Sequence, residues 1–185
     1  MDNGASSYRR FLDGDDSGII EIIKEYKDGL IFYLNGYTKN IHVAEELAEE
    51  TFFKLVIKKP KYKNQYSFRT WLYTIGRNAA INYFKHNSHQ SCNPIEDYEN
   101  LLQDEEIFEK TYLIEERKII VHKALAKLKS EYREVLYLTY FEEIKSEDAA
   151  RVMKKSKRQI ENLVYRAKQS LKSELEKEGF IYEKL

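Results

Sequence analysis

The residues best suited to act on a ligand crowd into one stretch, Thr51–Gln90, which holds eight Lys or Arg side chains and no Asp or Glu. Nine aromatic residues are set among those charges: Phe52, Phe53, Tyr62, Tyr66, Phe68, Trp71, Tyr73, Tyr83 and Phe84. Cationic side chains track a phosphate backbone, and flat rings give unpaired bases a surface to stack on, worth about 1–3 kcal/mol per base. A solvated helix face normally mixes both signs of charge. The missing acids therefore point to a polyanion and the rings to a single-stranded one. A helical core with a basic rim is the competing reading of the same residues.

A second group lies in SEDAARVMKKSKRQIENLVYRAKQSLKSEL, from Ser146 to Leu175. Ala149, Ala150, Val152 and Met153 suit a short helix, Lys154 and Lys155 a tight turn. Ser156 followed three residues on by Gln159 forms a capping box for the next helix. The pattern predicts a helix-turn-helix, with Ile160, Leu163, Val164, Ala167 and Leu171 facing inward. Lys157, Arg158, Glu161, Asn162, Tyr165 and Arg166 are left outward near the N-terminal end, where a recognition helix reaches base edges. Asn162 has the donor–acceptor pair for adenine, and Glu161 an acceptor for cytosine.

Catalytic and metal chemistry find little support. His42, His86, His89 and His122 are scattered, and the basic stretch has no acids to hold a cation. Asp13–Lys24 resembles a calcium loop at its first positions, but Lys24 stands where the bidentate Glu belongs. A helix N-terminus with favourable acids in its first turn accounts for that cluster better. We therefore expect no cofactor, no metal and no enzymatic activity.

Positioning these groups falls to helices. Two prolines and seven glycines, with apolar residues recurring at helical spacing almost throughout, predict an all-α chain. Ile19, Ile22, Ile23, Tyr26, Leu30 and Leu34 mark a first long helix. A second runs from about Val43 to Ile57, with Ala44, Leu47, Ala48, Thr51 and Leu55 inward, and ends at Pro60. A third, capped by Ser67, runs to about His86 with Phe68, Leu72, Ile75, Ala79 and Tyr83 inward. Thr70, Thr74, Arg77, Asn78, Asn82 and Lys85 fall on its other side. Residues 91–117 are acidic and without sustained period, which predicts a flexible linker with a short helix around Tyr98–Phe108. Beyond it, Leu125 and Leu128 close one helix, Ser130 caps the next, and Val135, Leu136 and Leu138 lie inside. The organisation expected is an N-terminal helical domain (1–90), a linker (91–117) and a C-terminal helix-turn-helix domain (118–185).

The zero net charge over 185 residues hides a strong alternation. Residues 1–50 carry −6, 51–90 carry +8, 91–120 carry −6 and 151–185 carry +5. Distribution, more than the total, is what matters for nucleic-acid binding. A single cysteine, Cys92, fits a reducing compartment. No apolar run approaches the roughly 20 residues of a membrane span, and the N-terminus lacks a signal peptide's apolar centre. We expect a cytoplasmic protein with no membrane insertion.

Three blocks, in order, resemble the extracytoplasmic-function (ECF) sigma factors, the small two-domain bacterial transcription initiation factors. AEELAEETFFKL (Ala44–Leu55) is similar to the family's core-polymerase-binding helix, SFRTWLYTIGRNAAINYF (Ser67–Phe84) to its melting and −10 recognition helix, and Arg133–Lys168 to its −35-binding region. The resemblance implies that Glu46, Glu49, Glu50 and Phe53 face core RNA polymerase, at the β′ clamp helices and β. Lys63, Asn64 and Tyr66 would capture a flipped −10 base. Arg69, Trp71, Arg77, Asn78, Asn82 and Lys85 would line or support the path of the melted strand. Lys157, Arg158, Glu161, Asn162, Tyr165 and Arg166 would meet the −35 duplex. Promoter DNA and core polymerase are the partners implied, with an anti-sigma factor as a further one. Lys154 departs from the family's usual Gly at the turn, and Gly76 from its usual Ala. The rival reading, a stand-alone helix-turn-helix regulator on duplex operators, calls for a dimer, and no heptad seam is present.

Overall fold

The computed structural model describes residues 3–88, 121 and 123–177. Every regular element among them is helical: α1 (Asn3–Leu12), α2 (Ser17–Thr38), α3 (Ile41–Lys58), α4 (Phe68–Ser88), α5 (Ser130–Leu136), α6 (Ser146–Met153) and α7 (Lys157–Lys177). A π-helical turn, Tyr137–Phe141, continues α5. The expected linker and its helix around Tyr98–Phe108 lie outside the described residues.

α2 is the spine of the N-terminal half, packed against α1, α3 and α4. Its buried face includes Ile19, Ile22, Tyr26, Leu30 and Leu34, at helical spacing. Asn40 caps α3, its side chain accepting from the amides of His42 and Val43, so the helix opens two residues earlier than its apolar pattern suggests. Ala44, Leu47, Ala48, Thr51 and Leu55 are all buried in α3. The Thr51 hydroxyl is satisfied inside its own helix, donating to the Leu47 carbonyl at 2.8 Å.

Two expectations need correction, and one helix was not expected. The N-terminal ten-residue helix α1 was not evident from periodicity, yet it buries Tyr8 and Phe11. The acids ahead of α2 are not in its first turn: Asp15 accepts from the Ser17 amide at 3.0 Å and pairs with Arg10. Ser130 is the first residue of α5 and makes no capping hydrogen bond; Lys129 precedes it at the cap position.

α4 differs in a more consequential way. Phe68 and Leu72 are buried as the inward stripe requires, but so are Thr70, Trp71, Tyr73 and Ala80. The reason is that α4 is packed against α2, α3 and α6, while Tyr8 of α1 and Tyr62 of the preceding loop cover Trp71 and Tyr33 of α2 covers Tyr73. Gly76 fits this crowding, since a Cβ there would come within 2.9 Å of Leu30 Cδ1.

In the C-terminal half α5, α6 and α7 pack around Val135, Leu136, Leu138, Ala149, Val152, Met153, Ile160 and Ala167. Lys154 ends α6 in the left-handed region at φ 54°. It thus adopts, at some strain, the conformation for which Gly is favoured. Ser156 and Gln159 make the reciprocal pair expected of them: the Ser156 Oγ accepts from the Gln159 amide at 3.2 Å, and Gln159 Oε1 from the Ser156 amide at 2.7 Å.

Candidate nucleic-acid interface

The loop before α4 is tied down from beneath. The Tyr8 hydroxyl donates to the Pro60 carbonyl at 2.8 Å, and burial pushes its pKa up to about 12, keeping it a donor. Tyr62 packs its ring edge-on to Phe68 at 5.6 Å and against Trp71 at 5.2 Å, and donates to the Tyr66 carbonyl. These anchors leave Lys63 and Asn64 exposed and Tyr66 half-buried. Asn64 sits at φ 53°, a left-handed conformation that asparagine tolerates better than most residues. Trp71 is 9% exposed within the same ring cluster. It supports the loop as core and offers no stacking surface.

Along α4 the Ser67 hydroxyl accepts from the Thr70 amide at 3.1 Å, the cap expected. Asn82 and Lys85 are exposed and Asn78 is half-buried. Arg69 and Arg77 are held instead by the C-terminal half. Arg77 Nε lies 2.9 Å from Glu134 Oε1 and 3.0 Å from the Tyr37 hydroxyl. Arg69 Nη1 lies 3.0 Å from Glu142 Oε2. Burial alone would lower the pKa of Arg77, but the Glu134 charge more than offsets it and the value rises. Burial, and then the same carboxylate, push the phenols of Tyr33 and Tyr37 well above their ordinary range, so Tyr33 stays a donor to Glu134, at 3.1 Å.

On α3, Glu46, Glu49, Glu50 and Phe53 share one exposed face at i, i+3, i+4 and i+7 spacing. Phe53 is 65% exposed and Ile57, one turn further, 56%. Ile57 was missed by the sequence reading, although its spacing from Phe53 could have found it. On α7, Lys157, Arg158, Glu161, Asn162, Tyr165 and Arg166 are all exposed. Lys157 is engaged with Glu147 and lies 4.0 Å from Glu161. No sequence pattern signalled Glu134, Glu142 or Arg151, whose guanidinium lies over the Tyr66 ring at 5.3 Å.

Sequence and structure comparisons place this arrangement among known proteins. Residues 22–90 match the Sigma-70 region 2 family, and residues 118–171 the Sigma-70 region 4 family. The chain is 28% identical over 160 residues to RNA polymerase sigma factor YlaC of Bacillus subtilis (strain 168), covering 86% of this chain and 92% of that one. It is 28% identical over 156 residues to ECF RNA polymerase sigma factor SigM of the same organism, covering 84% and 93%. Among solved structures it is similar to CnrH in complex with the cytosolic domain of CnrY, with a TM-score of 0.64 and 17% identity over 94% of this chain and 95% of that one. It is also similar to the sigma factor RpoE of Bartonella quintana, solved with the anti-sigma factor NepR, at 0.64 and 19% over 84% and 97%. At these identities the structural likeness speaks to the fold.

Proposed function

Because the chain belongs to the extracytoplasmic-function (ECF) family of RNA polymerase sigma factors, we propose a role for each of its three surfaces. The protein is a transcription initiation factor that directs RNA polymerase to promoters. The exposed face of α3, with Glu46, Glu49, Glu50, Phe53 and Ile57, docks on core polymerase. The loop carrying Lys63, Asn64 and Tyr66, with Arg69, Arg77, Asn78, Asn82 and Lys85 of α4, holds the melted −10 strand over a support that includes Trp71. The α7 face from Lys157 to Arg166 reads the −35 duplex. Residues 1–90 and 118–185 act as two domains for these tasks.

One observation carries the reading: matches to regions 2 and 4 fall in order on one chain, over the helices that present these surfaces. The protein works without catalysis of its own, in the cytoplasm with its polymerase; among the described residues no helix is long and apolar enough to cross a membrane. That RpoE was solved with an anti-sigma factor supports a protein inhibitor as a further partner here.

Run-off transcription from a pooled promoter library, with purified core polymerase and this chain, tests the function. Transcripts that depend on the added chain are expected; initiation indifferent to it would sink the reading. The duplex-reading surface gives a finer prediction. Asn162→Ala should relax base preference at one −35 position, with about 1–3 kcal/mol of discrimination lost there. Selection of bound duplexes from a randomised −35 pool measures this, and an unaltered preference would remove Asn162 from the reading set.

A further inference from the structure

One lysine ties the two helices of the helix-turn-helix together. Lys157, the first residue of α7, reaches Glu147 in the first turn of α6, with Nζ 2.5 Å from Oε1. The same ammonium lies 4.0 Å from Glu161 Oε1, one turn along α7. A single cation thus stands between two carboxylates and hydrogen-bonds to Glu147 alone. Among the described residues Glu161 takes no hydrogen bond from any side chain.

Folding does not depend on this bridge. Its side chains are 54% and 57% exposed, and an ion pair so open to water contributes little to stability. α6 is seated by Ala149, Val152 and Met153 and α7 by Ile160 and Ala167, all buried. The Ser156–Gln159 box already fixes the start of α7. What the bridge does is hold the ammonium on α6. Its hydrogen bond draws the Glu147 carboxyl below its usual pKa and raises that of Lys157.

Glu161 is the group this affects. A carboxylate on a DNA-facing helix is repelled by phosphate, and its use there is to accept from the cytosine amino group in the major groove. Its oxygens must stay open for that. The nearest competitor is Lys157, four residues back on the same helix face and carried on a flexible stem. Unbraced, the ammonium would close on Glu161 and occupy the acceptor. Held by Glu147 at 4.0 Å, it is near enough to offset phosphate repulsion and too far to hydrogen-bond.

We propose that Glu147 is a positioning residue for the −35 reader: by holding Lys157 on α6 it keeps the Glu161 carboxylate open for a cytosine, and so sets a cytosine preference at one base pair. This rests on the assignment of the α7 face to the −35 duplex, and adds to it a base class and a residue outside α7 that controls the choice. The acid on α6 touches no base itself. It acts through the lysine.

Holoenzyme made from core polymerase and the full chain, selecting from promoters randomised at −35, tests this. Glu161→Ala locates the position that Glu161 reads, as the one whose preference it erases, and the wild type should enrich cytosine there. Glu147→Gln should cut that cytosine preference about tenfold and leave the other −35 positions as they were. It should also tighten binding to duplexes lacking the cytosine, because the face loses a negative charge. A residue that merely stabilised the fold would not move the two in opposite directions. With Lys157→Met in place, Glu147→Gln should change the preference no further, since the route through the lysine is gone. Asp148→Asn is the control: it removes the other acid in the first turn of α6 and should leave the preference intact. Thermal unfolding of Glu147→Gln should match wild type. A base other than cytosine at the Glu161 position, an unaltered preference in Glu147→Gln, or an equal shift with Lys157→Met in place would each overturn the proposal. So would the same shift in Asp148→Asn, or early unfolding of Glu147→Gln. Failure of the −35 reading itself gives a different result: Glu161→Ala then changes no position at all.

Discussion

Phe53→Ala is expected to weaken association with core RNA polymerase by about 2 kcal/mol or more, roughly thirtyfold, and to leave folding stability unchanged. The contrast follows from where the ring sits. Phe53 is 65% exposed while its neighbours on the opposite side of α3, Leu47, Ala48, Thr51 and Leu55, are buried. Truncating it therefore removes little buried area from the fold, and an exposed substitution of this kind stays within about 0.5 kcal/mol. The same ring, with Ile57, is an apolar centre beside Glu46, Glu49 and Glu50, which matches the layout of binding hot spots: an aromatic anchor within a polar surround that excludes water. The carboxylates should act differently. Replacing Glu46 or Glu49 with Gln should lower the association rate and its salt dependence more than the dissociation rate. Titration of a fluorescent chain with core polymerase, beside thermal unfolding, measures both. Unchanged affinity for Phe53→Ala would move the docking surface off this face, and a lower melting temperature would make the ring part of the core.

How much of this was legible depends on the range of the interactions. Features set within a few residues read directly: the α3 stripe, the Ser67 cap, and the Ser156–Gln159 box all have sequence separations of four or less. α1 did not read because ten residues with two large buried side chains make a marginal helix in isolation, and its stability comes from what it packs against. The further buried positions of α4 did not read because their cover comes from outside the helix, Tyr8, Tyr33 and Tyr62 included. For the same reason Arg69 and Arg77 looked like free cations. Their carboxylate partners lie 73 and 57 residues away, and hydrophobic periodicity holds no record of such a pair. The candidate site was thus legible as a set of residues, but not as a surface already engaged.

The helix that escaped the sequence reading carries the second large effect. Gly18→Ala is expected to destabilise the N-terminal half by about 3 kcal/mol, the upper end for overpacking a core, with a fall in melting temperature on the order of 10 °C or more. A Cβ at Gly18 would stand 2.1 Å from the Ser7 carbonyl oxygen and 2.9 Å from the Phe11 amide nitrogen. Both obstructing atoms are backbone of α1, so no rotamer change relieves the contact and the whole helix must lift. Lifting it uncovers Tyr8 and Phe11, buried at 1% and 4%, and breaks the Tyr8 hydrogen bond to Pro60. The loop bearing Lys63, Asn64 and Tyr66 then loses its lower anchor, so open-complex formation should fall even below the melting transition. Gly14→Ala is the control. It has open space around it and a φ of +101°, so it carries only backbone strain, about 1–2 kcal/mol, and leaves α1 seated. Thermal unfolding of the two variants, with permanganate footprinting of the promoter bubble, compares them. Equal melting temperatures would show that α1 is not held by this close crossing. Lost stability with an unaltered bubble would separate α1 from the strand-capturing loop.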